Sequence, residues 1–223
     1  MEAFRLSKKQ NRYSHVIWDW NGTLLNDVDW CITRINRMLA KRNKRILANV
    51  SEYHNAFCFP VIDYYRNVGF DFKEESFEVL AQEYIGMYHG EGSDSAAMYQ
   101  GAEYVLRTIQ NFQISQIILS ASAQSNLEMQ LKPFGIRRYF DEILGISDIF
   151  AKSKLKIGMD YLSRNSVRRG ILVGDTTHDF EVSQSMGIEC VLIAHGHQSR
   201  EKLVQCNVPV FDNLEEILSY LVS

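Results

Sequence analysis

Proline is scarce, with 3 among 223 residues, and the 13 glycines follow no repeat, so collagen-like and proline-rich disordered architectures are excluded. Cysteine is also sparse. Cys31, Cys58, Cys190 and Cys206 stand far apart, with neither the paired spacing of zinc ligands nor the density of a disulfide scaffold, which favours a reducing compartment. Charge of one sign is not in excess either. The 24 Lys and Arg face 27 Asp and Glu, a formal net charge of -3, so no global positive field invites nucleic acid or an anionic membrane. No stretch approaches the roughly 18 apolar residues of a membrane span. The first fourteen residues are basic at Arg5, Lys8, Lys9 and Arg12 but lack the apolar centre of a signal peptide. These absences predict a cytoplasmic protein with a short basic arm over 1–14, acting on a small molecule without nucleic-acid or membrane partners.

What is present is an ordinary folded composition, 46% apolar and 23% charged, in a length that suits one or two domains. Short β-branched, apolar runs occur at His15-Val16-Ile17-Trp18-Asp19, Gln116 to Ser120, Gly170 to Gly174 and Cys190 to Ala194. Runs of this kind suit parallel strands buried on both faces. Helical patterns separate them from about residue 100 onward, which predicts an α/β domain with a Rossmann-like, doubly wound parallel sheet. Near the end, a helix-strand-helix pattern over 203–223 places Pro209-Val210-Phe211 at the sheet's edge.

The part between Thr23 and Gln100 shows no convincing strand. Cys31, Ile35, Met38 and Leu39 repeat at helical spacing, as do Phe77, Leu80, Ala81, Tyr84, Met87 and Tyr88, and both stripes read as core. A helical segment this long exceeds a simple crossover, so a second, all-helical subdomain is predicted over 27–99. The α/β domain then comprises 15–26 and 100–223.

In open parallel sheets, ligands bind outside the carboxyl ends of the strands. Asp19, Ser120 and the Gly174-Asp175-Thr176-Thr177-His178-Asp179 run all fall at such ends. Clustered carboxylates there would repel without a divalent cation, and an all-oxygen set suits Mg²⁺, with a phosphate as the natural ligand.

These residues resemble the haloacid dehalogenase-like hydrolases, in particular the branch similar to phosphoglycolate phosphatases. The resemblance rests on DWNGT at 19–23, ILS at 118–120, a lysine in AKSKLK and GDTTHD at 174–179, each at a strand end and in the family's order, and it covers nearly the whole chain from Ser14. It implies that the helical insert is a cap domain covering the site. It implies further that Asp19 attacks phosphorus and forms an aspartyl-phosphate intermediate. The implied Mg²⁺ ligands are Asp19, the main-chain carbonyl of Asn21 and Asp175, with Asp179 a further ligand or a support behind them. Thr23, Ser120 and the amide of Ala121 are implied to bind the phosphoryl group of a small phosphorylated metabolite. Lys152, Lys154 and Lys156 compete as its counter-charge. The resemblance favours Lys154, because the family's lysine directly precedes the apolar start of the following helix, here Leu155-Lys156-Ile157-Gly158.

The chain departs from the family at Asn21, where the phosphatases carry an acid/base aspartate. An amide has no titratable proton, and the missing function is typically worth about 10² to 10⁴ in rate. Three readings follow: a slow or altered phosphatase that recruits another acid such as His178 or needs none, a non-catalytic phospho-ligand-binding or regulatory protein, and an enzyme acting at carbon. Asn21→Asp is expected to accelerate a phosphatase. Retention of Ser120, the lysine and the GDxxxD pair favours phosphate handling.

Three further features carry expectations. The stretch Arg34, Arg37, Lys41, Arg42, Lys44 and Arg45 reads as a solvated face, its functional alternative being contact with an anionic end of the ligand. Phe57, Phe59, Tyr64 and Tyr65 read as cap core, with a place at the cap-core seam as the alternative. His195 and His197 are expected in a polar loop rather than a metal site.

Overall fold

The computed structural model describes residues 11–88, 96–146 and 153–222. Most of the basic arm lies outside them, as does Lys152. Six strands form one parallel sheet: β1 (His15–Trp18), β4 (Ser115–Ala123), β5 (Glu142–Ile146), β6 (Gly170–Gly174), β7 (Glu189–Ile193) and β8 (Val210–Phe211), in the order β5-β4-β1-β6-β7-β8. The central strand β1 pairs with β4 through Trp18 and Ile118 and with β6 through Trp18 and Val173. The chain adds strands first on one side of β1 and then on the other, which opens a crevice at the carboxyl ends of β4, β1 and β6.

The apolar character of β1 follows from burial on both faces. Val16 and Trp18 pack with Val105, Leu106 and Ile109 of α5 (Ala102–Asn111) and with Ile217 and Leu221 of α10 (Leu214–Val222). Ile17 points to the other face, against Tyr161 of α7 (Ser153–Arg164) and Val182 and Met186 of α8 (Thr177–Met186). Burial stabilises each such side chain by about 1.5–3 kcal/mol. The doubly wound arrangement thus agrees with the sequence reading, and β8 takes the edge place expected of it.

Strand β5 was not among the sequence-predicted strands. Its run Glu-Ile-Leu-Gly-Ile is half-buried and contains Gly145, so it carries a weak strand signal, and pairing with β4 supplies what local propensity lacks. Gly145 is required there, because a Cβ would lie 2.7 Å from the backbone of Gln124.

Between β1 and β4 the chain forms α1 (Val28–Lys41), α2 (Val50–Ala56), α3 (Val61–Asn67) and α4 (Phe77–Tyr88). These four helices share their own apolar cluster, in which Ile35, Met38 and Leu39 of α1 meet Tyr64, Tyr65, Phe77 and Leu80. The two links to the sheet are not plain loops. Leu25–Asn26 (β2) and Ala97–Met98 (β3) pair antiparallel in a two-stranded ribbon with no signature in the sequence, since two residues show no periodicity.

The basic stretch of α1 is mostly occupied within the helical insertion. Arg42 binds Glu75 and Glu83, Lys41 binds Glu83, Lys44 lies 3.5 Å from Glu74, and Arg45 binds Glu52. Arg34 is buried, donates to the Met87 carbonyl at 3.0 Å and stacks on Trp30.

Candidate active site

Asp19 follows the last residue of β1, and its amide donates to the Val173 carbonyl at 2.8 Å, which locks it beside β6. The following turn closes when Leu24 and Leu25 both donate to the Trp20 carbonyl. Gly22 sits in this turn at φ +74°, and a Cβ there would lie 2.2 Å from Asp175 Oδ2. Only glycine meets both demands.

Three carboxylates converge: Asp19, Asp175 and Asp179 each offer an oxygen within 4.8 Å of the others, and all are buried. Lys154, in the first turn of α7 and 2% exposed, donates to Asp19 Oδ1 at 2.5 Å and to Asp179 Oδ1 at 2.6 Å. Burial alone would lower its pKa, but Asp179 and Asp19 hold the ammonium well above the usual lysine range. Lys156 is exposed on the same helix. One ammonium against three carboxylates leaves the cluster negative. Burial pushes both Asp19 and Asp175 upward, and Asp175 is also raised by the charges of Asp19 and Asp179. Burial would raise Asp179 as well, but Lys154 overrides it and holds that group below the carboxylate range. A buried acidic cluster of this kind is able to hold a metal ion.

Asp179 is also the N3 residue of a capping box on α8, accepting from the Thr176 amide and hydroxyl at 3.1 and 2.6 Å. Its structural and functional readings are therefore both satisfied. Thr23 is fully buried and lies outside the cavity wall. Its hydroxyl lies 3.2 Å from Asp175 and 3.4 Å from Asp19, a place behind the carboxylates rather than the substrate contact the sequence reading gave it. Ser120 accepts from the Ser122 amide at 3.0 Å at the point where β4 shifts register, and Ser120 and Ala121 both line the cavity.

Asn21 is held on both sides. Its Nδ2 donates to Asp27 Oδ2 at 2.9 Å, and its Oδ1 accepts from the Ser122 hydroxyl at 2.8 Å. Asp27 precedes α1 without capping it, so its carboxylate turns back to the Gly22 amide at 3.0 Å and the Tyr88 hydroxyl at 2.6 Å. His197 lies 3.4 Å from the same carboxylate. Its amide donates to Asp175 Oδ2 at 2.6 Å, and its Nδ1 pairs with the Tyr53 hydroxyl at 2.8 Å. Burial would lower the His197 pKa, but Asp27, with Asp175 and Asp19, raises it to about 9, and His197 in turn draws Asp27 down against its burial.

Sequence reasoning missed Asp27, Tyr53, Ser122 and His197 as site residues. The signal for His197 was its position just after the strand end at Ile193. Gly196 was a second signal, since a Cβ there would lie 2.1 Å from Asp175 Oδ2. Gly196→Ala is therefore expected to displace Asp175 and cost about 2 kcal/mol, an overpacking effect. Calorimetry should show this as a melting temperature lowered by about 6 °C.

His195 also departs from a solvated loop. Its ring stacks on Tyr99 at 3.5 Å between centroids, and Nε2 donates to the Thr23 carbonyl at 3.1 Å. Burial lowers its pKa to about 4. The unfolded chain then binds a proton below about pH 6.5 that the folded protein rejects, so stability falls with pH across the window from about 6.5 to about 4. The loss reaches about 3 kcal/mol at pH 4. Urea unfolding at pH 7 and pH 4 should show that much less acid sensitivity in His195→Gln than in the natural sequence.

A cavity of about 250 Å³ opens from the carboxylates toward the helical insertion. Phe57, Phe59, Tyr64 and Tyr65 all line it, the seam position given above as their alternative, while Tyr64 and Tyr65 also belong to the insertion's apolar cluster. Phe57 stacks on His197 and Phe59 on His178, at 4.9 and 4.5 Å. Burial, with Lys154, lowers the His178 pKa. None of the basic residues of α1 lines this cavity.

Comparison with known proteins agrees with this architecture. The family model described as haloacid dehalogenase-like hydrolase matches residues 16–193. No curated protein sequence matches the chain significantly. Among solved structures, a haloacid dehalogenase-like hydrolase from Streptococcus pneumoniae superposes with a TM-score of 0.80 at 18% identity, covering 94% of this chain and 98% of that one. A protein from Clostridium acetobutylicum described as a predicted phosphatase gives 0.79 at 19% identity, with 93% and 97% covered. One from Haemophilus somnus described as a predicted phosphoglycolate phosphatase gives 0.76 at 17%, with 95% and 99% covered. At these identities the superpositions speak for the fold, while the family model spans most of the sequence, and the chain belongs to the haloacid dehalogenase-like hydrolase family.

Proposed function

We propose that this protein is a phosphoric monoester hydrolase in which Asp19 is the nucleophile. The supporting observation is the convergence of three buried carboxylates and one buried ammonium at the carboxyl edge of the sheet, facing a cavity under the helical insertion. Mg²⁺ fits the donor set, which is all oxygen, carries net negative charge, and leaves Asp175 Oδ2 in a cradle where a Cβ at Gly22 or Gly196 would strike it. Asp19, Asp175 and the Asn21 main-chain carbonyl would hold the ion, which would neutralise phosphoryl oxygens. Asp179 acts from behind, through Lys154.

The chain's own groups divide the remaining work. Lys154 orients Asp19 and carries positive charge to where the phosphoryl oxygens gather. Ser120 and the Ala121 amide stand at the bulge of β4, ready to donate to them. Asp19 attacks phosphorus, and water later releases phosphate from the aspartyl group. The helical insertion acts as a cap that excludes bulk water. Asn21 favours one second reading, a phospho-ligand-binding protein, because it supplies no proton for a leaving group.

Phosphate release from an ester panel decides between them. The hydrolase reading predicts release with Mg²⁺ and none with EDTA, whereas the binding reading predicts no release but a higher melting temperature with the ester.

A further inference from the structure

We infer that the substrate's leaving group is an uncharged aromatic alcohol: the protein is built for phosphate esters of phenols rather than of small anionic alcohols such as glycolate. The inference rests on the phosphatase reading and names its substrate class. Two independent observations carry it.

The first is the cavity wall. Beyond the carboxylates its insertion side is formed mainly by Phe57, Phe59, Tyr64, Tyr65, Tyr84 and Tyr88, with His197 and His178 stacked on Phe57 and Phe59. The insertion's arginines and lysines all fall among the described residues, and none of them lines it. The cation on that side, His197, is already paired with Asp27 at 3.4 Å, and burial holds the His178 pKa down, so a carboxylate carried by the substrate would meet no unpaired positive charge there. An apolar cavity of about 150 Å³ accepts a benzene ring. The 250 Å³ here has room for one ring beside a phosphoryl group. The Tyr64 hydroxyl is buried without a partner among the described residues, an unfilled hydrogen bond that a polar ring substituent would complete.

The second is Asn21, whose amide is fixed between Asp27 and Ser122 and has no proton to give. An alkoxide leaving group resembles hydroxide, from water of pKa about 15.7, and needs a proton as the bond breaks. A phenol, at about 10, leaves as its anion far more readily. The step balances without an acid. An Asp19 oxygen bonds to phosphorus, the phosphorus–aryl oxygen bond breaks with its electron pair on the phenolate, and the phenolate takes a proton from solvent. Water then attacks phosphorus, loses a proton to solvent, and releases phosphate with the carboxylate restored.

The test compares phenyl phosphate, cyclohexyl phosphate and phosphoglycolate with the Mg²⁺-supplied full chain, and the affinities of the inert analogues phenylphosphonate and phosphonoacetate. The expected result is a kcat/KM for phenyl phosphate at least about 10²-fold above both other esters, the scale of an absent acid, and phenylphosphonate binding at least about tenfold tighter. Cyclohexyl phosphate or phosphoglycolate turned over as fast as phenyl phosphate, or phosphonoacetate bound as tightly, overturns the inference and leaves the phosphatase reading standing. No turnover of any ester with phenylphosphonate still preferred removes the phosphatase reading but supports the aromatic selectivity.

Discussion

Asp19→Asn is expected to lower Mg²⁺-dependent release of phosphate from phenyl phosphate by about 10⁴-fold or more, the loss typical of removing a covalent nucleophile. The amide keeps the shape of the carboxylate but cannot form the acyl phosphate on which both half-reactions depend. Its effect on folding should be small or favourable. Asp19 is buried against two other carboxylates, and burial raises its pKa, so removing that charge relieves repulsion even as Lys154 loses one of its two partners. Loss of turnover with a retained or raised melting temperature separates this chemical role from a structural one. Turnover within tenfold of the natural protein would sink it.

Asn21→Asp is expected to produce the second large effect, a loss of stability that works against the gain in rate expected from the sequence. Asn21 Nδ2 donates to Asp27 Oδ2 at 2.9 Å, within a buried network that also holds Tyr88 and His197. An aspartate at 21 replaces that donor by a carboxylate oxygen facing a carboxylate. Losing a hydrogen bond to the buried Asp27 carboxylate and setting a second carboxylate against it is expected to cost about 3 kcal/mol, or roughly 9 °C in melting temperature for a chain of this size. Turnover should not rise, because the seam that holds the insertion over the site is what loosens. The double variant Asn21→Asp/Asp27→Asn restores one carboxylate opposite one amide. It should be more stable than the sum of the two single changes by at least about 1 kcal/mol, and should gain about 10²-fold on cyclohexyl phosphate from the acid it now carries. A single Asn21→Asp variant that is both stable and faster would show that Asp27 does not constrain position 21.

The contrast between these two residues shows what was legible in the sequence. Asp19, Ser120, Lys154 and Asp175 were readable because each is tied to a strand end or helix start by local pattern, and the sheet brings such ends together. Lys154 was separable from Lys156 only through the family resemblance, in which the lysine directly precedes the apolar start of a helix, and the structure buries the first and exposes the second. Asp27 and His197 were not readable in that way. Their roles depend on a contact between the start of α1 and the loop after β7, about 170 residues apart, and no local periodicity encodes it. The aromatic residues around Pro60 could not be assigned between core and seam for a related reason. Apolar rings pack equally well in a helical core and on a cavity wall, and only the tertiary arrangement distinguishes the two.

A covalent bond between Asp19 and phosphorus, expected during turnover, is open to direct detection. Because Asn21 cannot activate the attacking water, the acyl phosphate should accumulate during turnover of phenyl phosphate, where its formation needs no acid. Acid quenching within the first turnovers, followed by peptide mass spectrometry, should find a phosphoryl group on Asp19 in a sizeable fraction of the protein. Steady release of phosphate with Asp19 unmodified, or with the phosphoryl group on another residue, would contradict the account.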